Sequence, residues 1–164
     1  MMPMRDNLQS IISDEVIKTL EKLAFLFGMP DDDREAGDFS DKIVGSATFK
    51  GPFDGRLALA LSRDALPELA GNMLGADDPE TIDESQCRDA LKETVNIVCG
   101  NVLPVLGGKS AVFDVAPPEI AREGIDAPDG GWGEPAAVVC LGFDEGQCDI
   151  YLYLEGDLSS LSDL

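Results

Sequence analysis

Apolar residues recur at helical spacing over two long stretches of this chain and alternate over two pairs of short ones. In residues 6–27 the apolar positions Leu8, Ile12, Val16, Leu20, Leu23 and Phe27 make one helical stripe, which Gly28 and Pro30 end. Residues 43–50 and 56–61 read as two strands joined by the turn Gly51-Pro-Phe-Asp-Gly55, with Leu57, Leu59 and Leu61 on one face. Ser62 can cap a short helix that ends at Gly75, with Pro67 near its first turn. A second long helix has two available starts. Asp78 can cap it with Pro79 at the first position, or Asp83 and Gln86 can form a capping box. It runs to Val102 or Leu106, ahead of Gly107-Gly108, and Pro104 disturbs its end. Residues 111–116 are strand-like until Pro117-Pro118 breaks them, and residues 123–135 form a Gly/Pro/Asp-rich loop. Residues 136–143 and 148–154 read as strands joined at Asp144-Glu-Gly146, and the acidic, Ser-rich tail after Glu155 frays or forms a short helix.

The order is helix, hairpin, short helix, long helix, strand, hairpin. That is an α+β layout with helices packed on an antiparallel sheet. Each half is a helix followed by antiparallel strands, which suggests a pseudo-two-fold arrangement. A chain of 164 residues suits a single domain, 1–164, with one sizeable core.

The second long helix carries the most specific pattern. At about 100° per residue, Asp89, Glu93, Asn96 and Gly100 share one narrow face, and Leu91, Val95, Val98 and Val102 fall on nearly the opposite one. The apolar stripe enters a core. The carboxylate and carboxamide are then offered to solvent or to a partner, beside a glycine that obstructs nothing. Taken alone, Glu and Asn one turn apart are a solvated surface pair far more often than a site. Asn101 lies about 80° from Glu93 and reads as structural.

Composition narrows the chemistry. The chain has no histidine, which removes His general bases, Ser-His and Cys-His pairs and His-ligated zinc. Twelve Lys and Arg against 32 Asp and Glu give a net charge of −20, which disfavours nucleic acid and anionic membrane and suits partners with a basic patch. Cys87, Cys99, Cys140 and Cys148 lack CxxC spacing, and no secretory signal or membrane-spanning run is visible. They read as reduced, mostly buried thiols of a cytoplasmic protein, a Cys140–Cys148 hairpin disulfide being disfavoured. The acidic loop 31–38 fails as a calcium loop, because Gly37 comes one position late and Lys42 stands where the closing Glu belongs. It reads as solvated, and no cluster has good metal-ligand spacing. Trp132 reads as a loop residue folded onto the core.

The pattern Asp89-x3-Glu93-x2-Asn96, followed by Gly100-Asn101 and by Pro117 and Pro118 about two dozen residues on, resembles the signature of the CheC/CheX/FliY phosphatases of bacterial chemotaxis, CheX above all. The segment Phe113-Asp-Val-Ala-Pro-Pro-Glu119 resembles the strand after this helix in CheX-like proteins. The resemblance implies hydrolysis of the aspartyl phosphate of a CheY-type response regulator. Glu93 and Asn96 would be catalytic: Glu93 contacting the regulator through a Lys beside its phosphorylated Asp, and Asn96 orienting a water in line with phosphorus. Asp89 and Gly100 would belong to the partner-binding face. No cofactor is expected on this chain; Mg²⁺ would come with the regulator. A homodimer paired through its sheets is also implied. Family members with two sites repeat the motif on the first helix. Here that helix has Glu21 with Ala24 where Asn is needed, so one active site is expected. The competing reading is a non-catalytic docking module for a receiver domain or flagellar-motor component.

Overall fold

The computed structural model describes residues 4–37, 40–122, 129–144 and 146–161. Asp38, Glu145, residues 123–128 of the Gly/Pro-rich loop and the last three residues of the tail lie outside this set. The elements are α1 (Met4–Ala24), β1 (Met29–Pro30), β2 (Lys42–Lys50), β3 (Asp54–Ser62), α2 (Leu66–Leu74), α3 (Glu84–Gly107), β4 (Asp114–Val115), β5 (Glu119–Ile120), β6 (Ala137–Phe143) and β7 (Gly146–Glu155). They form an α+β structure in which the helices cover one face of an antiparallel sheet ordered β1-β6-β7-β3-β2-β4, with β5 also on β2.

This strand order is symmetric about the central β7–β3 pair. Each half places its short first strand against the other half's hairpin: β1, which follows α1, pairs with β6, and β4 and β5, which follow α3, pair with β2. The two hairpins then join through β3 and β7, in register from Asp54↔Glu155 to Leu61↔Cys148. The helices repeat as well. A shift of 79 residues carries Leu8, Ile12, Val16, Leu20 and Ala24 onto Cys87, Leu91, Val95, Cys99 and Leu103, and all ten are buried. The pseudo-two-fold arrangement is thus written in burial more plainly than in residue identity.

Both faces of the sheet are covered. Leu57, Leu59, Leu61, Ile150 and Leu152 point toward the helices and join their apolar stripes in the main core. Val44, Ala58, Ala60, Tyr151 and Tyr153 point the other way into a smaller cluster, under Ala36, Ala121 and Trp132. The loop Trp therefore folds onto the core, as its surroundings suggest. Asp149 is on this second face and fully buried. Arg34 Nη1 lies 2.6 Å from it and Lys42 Nζ 3.1 Å, while Arg34 also bonds Asp31 and the Leu141 carbonyl. The acidic loop is therefore not simply solvated. Asp31 and Arg34 tie it to a buried carboxylate, which two cations make tolerable in a dry setting.

Several local expectations change. Helix α1 ends at Ala24, because Phe25 takes a left-handed backbone (φ 53°) and turns the chain away. Leu26 enters the core, and Phe27 is 65% exposed instead of continuing the stripe. Ser62 does not cap α2. Its hydroxyl bonds the backbone of Gln147 across the sheet, and the helix is entered through a 3-10 turn at Arg63–Ala65. Of the two starts for α3, the Asp83/Gln86 capping box is the one used, and Asp78 caps a separate 3-10 turn at Pro79–Thr81. Helix α3 continues past Pro104 to Gly107. The strand expected in residues 111–116 is reduced to Asp114–Val115, with β5 following the two prolines. Strand β1 is an addition. The sheet edges β1 and β4 are two residues long, and these are what a second copy would have to pair with.

Candidate functional site

Helix α3 lies across β2 because β2 carries a glycine where they meet. A Cβ on Gly45 would stand 3.0 Å from Leu91 Cγ and 3.2 Å from Val95 Cγ2, too close to keep the present packing. The helix is further fixed on two sides. Thr94, fully buried, donates its hydroxyl to the Ala90 carbonyl at 2.8 Å and lies 3.5 Å from the Met73 sulfur of α2. Asn101 Nδ2 donates to Thr19 Oγ1 of α1 at 2.9 Å, which gives Asn101 the structural role its position implied. At the far end Phe49, Phe53 and Phe113 pack edge to face, with centroids 5.2–6.3 Å apart, and hold the connection to β4.

With the helix held this way, Asp89, Glu93, Asn96 and Gly100 are all exposed along one stripe. A Cβ on Gly100 would meet nothing within 4 Å. The fold itself therefore does not demand a glycine there. Pro104 sits on the same stripe, one turn on. Lacking an N–H, it cannot give the Gly100 carbonyl the usual i+4 helical hydrogen bond. The stripe thus offers two carboxylates, a carboxamide and a carbonyl that lacks its i+4 donor within about three turns.

The corresponding stripe of α1 carries nothing equivalent. The burial match places Asp14 at the position of Glu93 and Ile17 at that of Asn96. Ala24, compared with Asn96 in the sequence, is in fact a buried core residue matching Leu103. The register of that comparison was off by seven residues, yet α1 still lacks the Asn.

Thiol chemistry is disfavoured. Burial pushes Cys99 and Cys148 each up to about 12 and, with Asp149 nearby, Cys140 up to about 11, so all three are neutral thiols near pH 7. Cys140 and Cys148 occupy opposite faces of the sheet, and all four cysteines are free. Among the described residues no group of three or more Cys, Asp or Glu could hold a metal, and no helix is long and apolar enough to cross a membrane.

Sequence reasoning overlooked the cations beside the stripe. Arg88 and Lys92 lie on the flank of α3 next to Asp89 and Glu93 and line a cleft of about 790 Å³ with Arg56 and Arg122. The spacing of Arg88 and Lys92, one helical turn in an acidic chain, was the available signal.

An antiparallel sheet with two pseudo-symmetric helices, one of them displaying Glu and Asn, defines the class to which the comparisons point. The family model for the chemotaxis phosphatase CheX matches residues 43–125, and the chain belongs to the CheX family. CheX from Desulfovibrio desulfuricans superposes with a TM-score of 0.66 at 15% identity, over 91% of this chain and 99% of that one. CheX from Borrelia burgdorferi, solved in complex with CheY, BeF3 and Mg²⁺, gives 0.66 at 16% identity over 90% and 97%. A CheC-like protein from Shewanella sp. PV-4 gives 0.65 at 23% identity over 94% and 100%. At these identities the likeness is one of fold. No curated protein matches the chain.

Proposed function

We propose that this chain hydrolyses the aspartyl phosphate of a CheY-type response regulator, using the exposed stripe of α3. The observation that carries the reading is the pair Glu93 and Asn96, one turn apart and solvent-facing on a helix whose other side is locked into the core, in a chain of the CheX family. The complex of the Borrelia burgdorferi CheX with CheY supplies the class of partner.

An acyl phosphate is already activated, so catalysis needs positioning and charge stabilisation more than a strong base. The Asn96 carboxamide accepts a hydrogen bond from a water and donates one to an oxygen at the reacting centre. The water oxygen attacks phosphorus, the P–O bond to the aspartyl carbonyl carbon's oxygen breaks, and the carboxylate departs. Both protons of the water leave on inorganic phosphate. Glu93 pairs with a cation of the regulator and sets the insertion depth of Asn96. Asp89 and Gly100 border the contact, and the Gly100 carbonyl accepts from the partner. In this reading Mg²⁺ belongs to the regulator, and no step asks for a histidine.

The test is phosphate release from a phosphorylated CheY-type receiver with Mg²⁺, for the wild type and for Glu93→Ala and Asn96→Ala. Acceleration by the wild type that both substitutions largely abolish supports the reading. Receiver binding without acceleration would make the chain a docking module. Acceleration surviving both substitutions would move the chemistry elsewhere.

A further inference from the structure

The pseudo-two-fold repeats a cleft as well as a helix. One copy lies between α3 and the chain that follows β5; the other lies between α1 and the chain that follows β1. Gln9 and Ser13 of α1 line the second at the positions that Arg88 and Lys92 occupy in the first. The charge differs in sign. Among the described residues, the α3 cleft is lined by Arg56, Arg88, Lys92 and Arg122 against Glu119 and Asp129, four cations to two carboxylates, for a net +2. The α1 cleft has Arg34 against Asp14, Asp31 and Asp32, one cation to three carboxylates, for a net −2. The chain as a whole carries −20, so gathering four of its twelve cations in one cleft runs against its average.

We infer that the α3 cleft docks a carboxylate-bearing surface of the protein that reads Glu93 and Asn96, with Arg88 and Lys92 as its contacting cations. This deepens the proposed function and rests on it. Three observations carry it. The basic cleft flanks the helix with the Glu/Asn pair, whereas the repeated cleft beside Ile17 is acidic. Lys92 is half-buried and has no hydrogen bond or ion pair among the described residues. Among the described residues Arg88 pairs with Glu84 alone, whose side chain is 81% exposed, a surface pair weak enough to be exchanged for a partner's carboxylate. An acidic partner would otherwise be repelled by a chain of this charge. A local basic cleft both overcomes that repulsion and fixes the partner's orientation over α3.

The test is the affinity of the beryllofluoride-loaded receiver for wild type and for Arg88→Gln/Lys92→Gln, at low and moderate salt, together with kcat and KM for phosphate release. Lys18→Gln/Lys22→Gln on α1 is the control, because it removes the same charge from the opposite half. The expected result is roughly tenfold weaker binding and a raised KM in the α3 variant, with a flatter salt dependence, kcat within about twofold of wild type and no change in the control. Unchanged affinity in the α3 variant overturns the cleft assignment and leaves the phosphatase reading standing. Equal losses in variant and control reduce the effect to net charge and also overturn it. Unaltered receiver binding alongside saturable uptake of inorganic phosphate by calorimetry would make the cleft a small-anion site. A wild type that neither binds nor dephosphorylates any receiver overturns both readings together.

Discussion

The two halves of this molecule share a backbone plan and differ in what they present. In α1 and α3 the same buried positions recur 79 residues apart, and each helix is followed by a short strand that crosses to the other half's hairpin. On the exposed side the likeness ends. Where α3 shows Glu93 and Asn96, α1 has Asp14 and Ile17, and Ile17 packs partly against the core. Where the α3 cleft has Arg88 and Lys92, the α1 cleft has Gln9 and Ser13. The core of each helix is constrained by packing and so repeats. The surface is not, and among the described residues the Glu/Asn pair and the basic cleft lie on α3 and not on α1.

The sharpest break is chemical. Asn96→Ala is expected to lower kcat for receiver dephosphorylation by roughly 10²-fold, as loss of one positioned polar group does, with little change in melting temperature because the side chain is exposed. A buried counterpart should behave the opposite way. Asp149→Ala would strand Arg34 and Lys42 without their carboxylate and should cost about 3–5 kcal/mol in urea denaturation, while kcat measured well below the transition stays near wild type. A smaller effect belongs to the helix start. Asp83→Ala removes one arm of the capping box and should cost about 1 kcal/mol, read as a lower urea midpoint.

Alkaline pH gives a graded test of the shared core. The folded pKa of Cys99 and Cys148 is raised above the ordinary thiol value of 9.0, so their stabilising contribution is complete below about 9 and is lost as pH rises toward about 12. The urea midpoint should therefore fall with rising pH above 9, and Cys99→Ala should make that fall shallower. The smallest expected effect is a gain. Asp14→Glu/Ile17→Asn writes the Glu/Asn pair onto α1, and phosphate release should rise by no more than about twofold, since the cleft beside it stays acidic. A second full site appearing in that variant would show that the pair alone suffices.

What was legible in the sequence follows the range of the forces involved. The α3 face, the Asp83/Gln86 box and both hairpins rest on residues within a few turns or strands of one another, and periodicity finds them. Strand β1 is two residues long and owes its existence to β6, more than a hundred positions away. The end of α1 depends on one aromatic residue adopting a left-handed backbone, for which its residue type gives no warning. The far face of the sheet was hidden as well, because Arg34, Lys42 and Asp149 meet only once the fold is formed. So was the basic cleft, where Arg56 comes from β3, Arg88 and Lys92 from α3, and Arg122 from the segment after β5. Glu93 and Asn96 were visible because a single helix brings them together.

The central claim is that a receiver domain reads α3 and not its symmetric counterpart. The most direct measurement is the side-chain amide region of a ¹⁵N NMR spectrum, recorded as beryllofluoride-loaded receiver is added. The account predicts that the Asn96 carboxamide signals shift or broaden while those of Gln9, at the α1 cleft, stay in place. Gln9 responding while Asn96 stays fixed would contradict it.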